Sequence, residues 1–568
     1  MSDHTDLIRR TRAWIEGDPD PATRRELESL LDEESWDDLG ERMNGVLEFG
    51  TAGIRGAVEA GSNRMNRAVV IRTTAGVSAF LRENRSGPVV VGFDGRSSSR
   101  QFAEDTVGVL VAAGHEVAFF NTPVPTPMVA YAARRLGAGA AVVVTASHNP
   151  PADNGYKVYD HNGAQIVPPV DTAIAAAIAQ VGSASEVPRT EAGMGGDVPG
   201  ASELDLDEMY AAYRDEVDQV RTRTAGGELR VAYTPIHGVG WEIMHRLTAD
   251  AGYPDFHVVE AQRDPDGSFP TVTFPNPEEP GAMDLVKELG EELGADLVIA
   301  NDPDADRLAV VLPENGRWRP LTGNQIGVLM ADWLLEHWES EERPIVVNSI
   351  VSSPMLSAVG ELYGAHVEQT LTGFKWIANA AMDLEEQGVG RFVFGYEEAL
   401  GYSVGPVVRD KDGMSAAIVF MDMAQSLAES GRTVGDRLAD LYLRVGLWAS
   451  TQLSIVRPGS AGVEEIMAAM DRLGERFPSE LAGHAVLGGT DYRAGAGERP
   501  RWLAATPLVA LELEDRGRVL VRPSGTEPKL KIYVDLRGEA GDDIETAEAR
   551  LREVADEIAA ATAGFIGF

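Results

Sequence analysis

A chain of 568 residues is too long for one hydrophobic core, and at roughly 150 residues per domain it implies about four. Its net charge of -39 argues against a nucleic-acid or anionic-membrane partner, since both need a basic surface to displace counterions, while 44% hydrophobic content is that of a globular protein. The absence of cysteine excludes disulfides, thiolate catalysis and sulfur-ligated zinc, so any metal must sit on oxygen or imidazole. The start, Met1-Ser2-Asp3-His4-Thr5-Asp6, is acidic without an apolar signal core, and no run reaches the ~18 apolar residues of a spanning helix. A cytoplasmic protein is expected.

Apolar, β-rich runs at 88–93, 116–120, 140–144, 229–233, 296–300, 344–347 and 391–394 predict strands. Amphipathic stretches at 68–83, 204–217 and 324–339 predict helices between them. That alternation marks α/β domains with largely parallel sheets. The Gly-, Ser- and Pro-rich stretch 182–202 reads as a crossing between domains, with further boundaries near 314–320 and 443–451. Beyond them the pattern changes to short strands at 452–456, 508–513, 518–521 and 530–536, with helices at 463–477 and 543–561, a smaller α+β unit. Domains are expected at 1–203, 204–318, 319–447 and 448–568.

Four loops carry candidate chemistry. The first follows the run 140–144: Thr145-Ala146-Ser147-His148-Asn149-Pro150-Pro151, a buried strand ending in an exposed, stiffened loop. A serine presented there can be a nucleophile or an ordinary turn residue. The second, after 296–300, is Asn301-Asp302-Pro303-Asp304-Ala305-Asp306-Arg307. Three carboxylates at alternate positions, in a loop that Pro keeps non-helical, can converge on one hard cation; a solvated acidic turn is the alternative. An EF-hand would need Gly and Glu where Arg307 and Pro313 stand, and the aspartate-nucleophile phosphatase pattern wants Thr or Val in place of Asp306. With three side-chain oxygens the site is open, so Mg²⁺ would be completed by a phosphate of the substrate or the protein.

The third loop, Gly395-Tyr396-Glu397-Glu398-Ala399-Leu400-Gly401, offers paired carboxylates as acid and base or as acceptors for sugar hydroxyls. Neighbours on a strand point to opposite sides, so one glutamate is expected to face a ligand. Nearby stand Leu371-Thr372-Gly373-Phe374-Lys375 and Arg409-Asp410-Lys411-Asp412-Gly413. In the fourth loop, Arg522-Pro523-Ser524-Gly525-Thr526-Glu527-Pro528, successive amides can form a nest for phosphate, finished by hydroxyls and Arg. Each loop sits at the C-terminal end of an apolar strand, where α/β sheets place ligands. Lysine is nearly confined to these motifs and the residues just after them: Lys375 and Lys411 fall inside, Lys157, Lys529 and Lys531 follow closely, and Lys287 alone stands apart.

With Phe49-Gly50-Thr51-Ala52-Gly53-Ile54-Arg55-Gly56 and Asp94-Gly95-Arg96 added, the chain resembles the α-D-phosphohexomutases, the phosphoglucomutase and phosphomannomutase superfamily, over nearly its whole length. The resemblance implies four domains around a central cleft: three α/β domains with mixed sheets and a C-terminal α+β domain. It implies that Ser147 is a phosphoserine, with Ser147, Asp302, Asp304 and Asp306 supplying the Mg²⁺ shell. Lys157 looks like the proton acceptor, its pKa pushed down by the metal and by arginines, with Lys411 and His148 as candidates for complementary proton transfer. Arg55, Arg96 and Arg307 would steady the phosphate or its loop. Thr372, Gly373, Lys375 and Glu397 resemble the sugar contacts, and Arg522, Ser524, Gly525 and Thr526 the site of the non-reacting phosphate.

The implied activity is interconversion of hexose 1-phosphate and hexose 6-phosphate, glucose first and mannose second, through a bisphosphate that turns end for end. A glucose 1,6-bisphosphate type of activator, phosphorylated monosaccharides as the only partners, and a monomer or dimer go with it. Ala399 departs from the pattern: many hexose-specific members carry Ser two residues after the glutamate. The Glu-Glu-Ala form looks more like a branch that includes pentose-phosphate mutases and glucose 1,6-bisphosphate synthases, so both activities stay open. A non-catalytic sugar-phosphate binding protein is the alternative of another class, and the intact Ser147, Lys157 and aspartates count against it.

Overall fold

The strand Val89–Phe93, Val-Val-Val-Gly-Phe, is buried at every position and has parallel neighbours on both sides, Ala140–Val144 and Val117–Phe119. Runs of β-branched residues suit such an interior strand, covered on both faces. It lies inside a six-stranded sheet of a computed structural model that describes residues 4–50, 53–191, 198–314, 316–457, 459–524, 529–541 and 543–568. The sheet order is Gly53–Ala57, Asp153–Asp160, Ala140–Val144, Val89–Phe93, Val117–Phe119, Ala201–Glu203. Asp153–Asp160 runs antiparallel to both of its neighbours, so the sheet is mixed. Ala201–Glu203 pairs in parallel with Val117–Phe119, so part of the stretch read as an inter-domain crossing is sheet edge.

A second, five-stranded sheet has the order Arg317–Pro320, Ala309–Glu314, Leu297–Ala300, Val231–Thr234, Phe256–Val258. Its parallel central pair, Leu297–Ala300 and Val231–Thr234, is buried throughout. Residues 317–320, read as part of a boundary, pair antiparallel with Ala309–Glu314. No element was predicted before residue 68, yet Thr5–Gly17, Pro21–Asp32 and Trp36–Met43 are helices that bury Leu7, Leu27, Leu39 and Met43 together. Pro21 opens the second of them and Asp20 caps it by accepting from the Ala22 amide.

The chain divides into two compact units, Met1–Leu321 with Gly401–Gln425, and Thr322–Leu400 with Ser426–Phe568. In the second, Pro344–Ser349 lies between His366–Thr370 and Arg391–Glu397, all parallel. The helix Gly323–Glu336 starts with a capping box in which Thr322 and Gln325 exchange bonds. An antiparallel sheet follows, in the order Leu447–Val456, Lys529–Gly538, Arg518–Pro523, Val509–Leu513, His484–Asp491, Glu480–Leu481. The helices Gly459–Glu475 and Ile544–Ile566 bury Met470, Leu473, Ile558 and Ile566 against it. The architecture is therefore α/β with a C-terminal α+β portion, as the patterns predict, and the sheets are mixed, as the resemblance implies, where the alternation alone suggested largely parallel ones. Among the described residues no helix is long and apolar enough to cross a membrane.

Candidate active site

Just beyond Ala140–Val144 the chain turns sharply, and buried Ser147 takes φ +54°, a left-handed conformation uncommon for a residue with a Cβ. The Ser147 amide donates to Thr145 Oγ1 at 2.8 Å. Arg96 holds the rest of the loop, donating from Nη2 to the carbonyls of Ser147 (2.7 Å) and Asn149 (2.6 Å) and from Nη1 to those of Pro150 (2.7 Å) and Asp153 (3.0 Å). Asp94 braces its Nε at 3.2 Å. Of the two roles expected for Arg96, these bonds commit it to the loop. Exposed Arg55 reaches the same loop through Asn149 Oδ1 at 2.8 Å.

Asp302, Asp304 and Asp306 are fully buried, and one oxygen from each lies within 4.8 Å of the others. Ser147 Oγ donates to Asp302 Oδ2 at 3.0 Å, and the Arg307 amide donates to Asp302 Oδ1 at 3.0 Å. Asp304 Oδ2 accepts from Thr126 Oγ1 and from Lys157 Nζ, both at 2.7 Å. Asp306 Oδ2 is 3.1 Å from both Lys157 Nζ and Lys411 Nζ. Asp304 Oδ1 and Asp306 Oδ1 are buried without a hydrogen-bond partner. Buried carboxylate oxygens left in that condition are costly, and an all-oxygen set of this size fits a hard divalent cation.

Two glycines make the cluster possible. Gly53, at φ +130°, stands opposite Lys157 in the sheet, where a Cβ would fall 1.9 Å from the Tyr156 carbonyl oxygen. Gly413 lets the Lys411 loop approach the aspartates, for a Cβ there would meet the Arg307 carbonyl oxygen at 2.1 Å.

The electrostatics separate the groups. Burial, then the charges of Asp306 and Asp304, push the Asp302 carboxyl well above its ordinary range. Burial would do the same to Asp304, but the Lys157 ammonium outweighs it and lowers that carboxyl. Asp306 is also lowered: burial and Asp304 oppose this, and Lys157 and Lys411 prevail. The depression expected of Lys157 depends on a bound cation beside it, and the protein's own groups act the other way. Burial alone would lower it, but Asp304 and Asp306 overcome burial and raise the lysine, because its ion pairs are with carboxylates and not with the arginines expected beside it. His148, half-buried with Nδ1 3.1 Å from Ser147 Oγ, is held well below its ordinary value by burial and by the Arg307 and Arg55 charges.

Sequence reasoning missed two supports. Thr126 sits 178 positions from Asp304, between two prolines at the start of the helix Thr126–Arg135, with no local signal of its partner. Asp410, which lies 3.2 Å from Lys411 Nζ, is fixed by Tyr159 Oη at 2.6 Å and Gln165 Nε2 at 2.8 Å.

In the second unit, the Gly373 amide donates to Glu397 Oε1 at 2.7 Å and Arg522 Nη1 donates to Thr372 Oγ1 at 2.7 Å. Glu398 turns elsewhere, accepting from the hydroxyls of Ser349 (3.1 Å) and Ser352 (3.0 Å). Lys375, expected as a sugar contact, is buried with Nζ 5.5 Å from the Trp376 ring centre. The Ser524 amide donates to the Lys529 carbonyl at 2.7 Å, while Gly525 and Thr526 lie outside the described residues.

Comparison with known proteins follows the same order along the chain. The family models for phosphoglucomutase/phosphomannomutase match in sequence: alpha/beta/alpha domain I at 46–185, domain II at 208–316, domain III at 322–445 and the C-terminal domain at 494–561. A Haemophilus influenzae protein named "Probable phosphomannomutase" is 39% identical over 504 residues, covering 86% of this chain and 96% of its own length. The phosphoribomutase of Saccharomyces cerevisiae is 34% identical over 582 residues, covering 94% and 93%. Among solved structures, the Paramecium phosphoglucomutase parafusin superposes with a TM-score of 0.69 over 92% of this chain and 96% of that one; at 18% identity it speaks for the fold alone.

Proposed function

The chain belongs to the phosphoglucomutase/phosphomannomutase family, isomerases that move phosphate within a sugar, and from that premise we propose a magnesium-dependent mutase that interconverts hexose 1-phosphate and hexose 6-phosphate through phosphorylated Ser147. Glucose phosphates come first and mannose phosphates second. The observation that carries the reading is Ser147 Oγ bonded to Asp302 within a buried carboxylate triad, two of whose oxygens have no partner. Asp302, Asp304 and Asp306 would hold Mg²⁺, which supplies charge neutralisation to the transferring phosphoryl group.

The chain's own groups divide the remaining tasks. In the first transfer a sugar hydroxyl oxygen bonds to phosphorus as the bond from phosphorus to Ser147 Oγ breaks; the hydroxyl loses a proton and Ser147 gains one. After the bisphosphate turns, the opposite transfer restores phosphoserine and returns a proton to the sugar. His148, neutral and beside Oγ, suits exchange of the serine proton, and the ammonium groups of Lys157 and Lys411 suit the sugar side and the charge that builds there. Arg307 and Arg55 supply further positive charge, and Arg96 keeps Ser147 aimed. Glu397 with Thr372 and Gly373 would take sugar hydroxyls, and Arg522, Ser524, Gly525 and Thr526 the phosphate that does not react.

A pentose 1-phosphate to 5-phosphate mutase is the second reading. It is favoured by Ala399, which offers no hydroxyl two residues after Glu397, and by the likeness to a phosphoribomutase. Comparison of kcat/KM on glucose 1-phosphate and ribose 1-phosphate decides between them, and a clear preference for ribose overturns the first. Turnover that persists with only catalytic glucose 1,6-bisphosphate disposes of a bisphosphate synthase as the main role. Mass spectrometry after incubation with that bisphosphate is expected to place one phosphate on Ser147; none there defeats the mechanism.

A further inference from the structure

We infer that the first unit carries a second binding site, sharing no residue with the serine and aspartate cluster, for a small organic anion with a flat apolar body. The N-terminal helix Thr5–Gly17, the start of the helix Arg67–Asn84 and the segment 182–184 enclose a cavity of about 490 Å³, a size typical of small-molecule sites. Trp14, Met43, Val46 and Ala68 give it apolar walls, and Arg10 and Arg72 bring guanidinium groups to it. Arg10 is committed to Asp6 Oδ2 and Asn44 Oδ1, both at 2.9 Å, so in a chain of net charge -39 Arg72 is the group that can hold an anion there.

Arg72 is the telling group. On the same helix Arg67 grips buried Asp105 with two bonds of 2.8 Å. Arg72 has no carboxylate partner among the described residues: Nη2 donates to the Val181 carbonyl at 3.2 Å, and the guanidinium stands over the Trp14 ring, 5.6 Å from its centre. Burial lowers its pKa with no neighbouring acid to offset the loss. Arg72 Nε and Trp14 Nε1 are both buried without an acceptor, which folded proteins seldom leave so. An anionic group on Arg72 supplies the charge partner that this guanidinium lacks, and an aromatic body suits the apolar walls, whereas a sugar phosphate would set hydroxyls against them.

Fluorescence titration with anilinonaphthalene sulfonate tests this on the full chain. One probe is expected to bind per chain, while neutral phenylnaphthylamine binds at least tenfold more weakly and glucose 6-phosphate does not displace the probe. Arg72→Gln is expected to weaken binding roughly tenfold or more. Ala13→Trp, a change at an exposed position on the cavity wall, fills the space and removes binding even if the Arg72 variant folds poorly. Mutase turnover serves as the folding control for both variants. Probe binding by Arg72→Gln within about twofold of the parent, equal affinity for the neutral compound, displacement by glucose 6-phosphate, or unchanged binding in a turnover-competent Ala13→Trp variant each overturn the site.

Discussion

The aspartate loop of the first unit and the glutamate pair of the second both lie at the end of a parallel strand, yet their charges are met differently. Asp302, Asp304 and Asp306 are sealed from solvent and face Lys157, Lys411 and Arg307, charge against charge. Glu397 and Glu398 are half-buried, and neutral groups reach both: the Gly373 amide donates to Glu397, and the Ser349 and Ser352 hydroxyls donate to Glu398. Full charges at short range suit a place where charge moves during a reaction, because they are already oriented when it does. Neutral donors and a single carboxylate suit the discrimination of hydroxyls, where an unmatched group is the penalty.

Ser147→Ala tests the first side of that contrast with the largest effect: turnover is expected to fall on the order of 10⁴-fold or more, with glucose 6-phosphate still bound in calorimetry. Lys157→Met comes next. It should reduce kcat by about 10² to 10⁴-fold and, by leaving two buried carboxylates facing each other, cost about 3–5 kcal/mol in urea unfolding. The double variant Lys157→Met/Asp304→Asn should regain much of the stability and none of the rate.

The glutamates should respond on a smaller scale. Glu397→Gln is expected to lower kcat/KM about tenfold, mainly through KM, and Glu398→Gln to cost about 1–3 kcal/mol of stability with little change in rate. A collapse of kcat in either would erase the distinction between the loops. The smallest effect is acid sensitivity of the first unit. His237, buried against Thr271 Oγ1 at 2.8 Å, has its pKa lowered by burial. The unfolded chain therefore takes up the proton first, and stability is lost as pH falls from roughly 6.5 toward the folded pKa, by at most ~1.4 kcal/mol per pH unit. Thermal unfolding across pH should show this slope in the parent and a shallower one in His237→Gln.

What the sequence made legible were features carried by neighbours in the chain. Ser147 and the three aspartates stand in short runs after apolar strands, so element type, loop and donor chemistry could be read from one window. Partners contributed from afar could not. Thr126 on Asp304 and Tyr159 on Asp410 depend on how elements of separate sheets pack together, which no local pattern encodes. Lys157 stood out by its rarity, but its carboxylate partners Asp304 and Asp306 lie nearly 150 positions away and could not be read from its own window. The N-terminal helices escaped notice because their shared core of Leu7, Leu27 and Leu39 is assembled from three short segments, none of them strongly apolar alone.

The membership of Gly401–Gln425 in the first unit also bears on how the protein is made. Translation delivers Asp302, Asp304 and Asp306 early and Lys411 late, with the whole of 322–400 emerging in between. Until then the nascent aspartate loop has Lys157 as its lysine counterion and lacks the close support of Gly413 and its neighbours. The first unit is thus finished only after the 322–400 portion of the second, its smaller part, has left the ribosome. A chain cut at residue 321 loses 401–425 from its first unit, whereas one cut after residue 425 keeps that unit whole and divides the second.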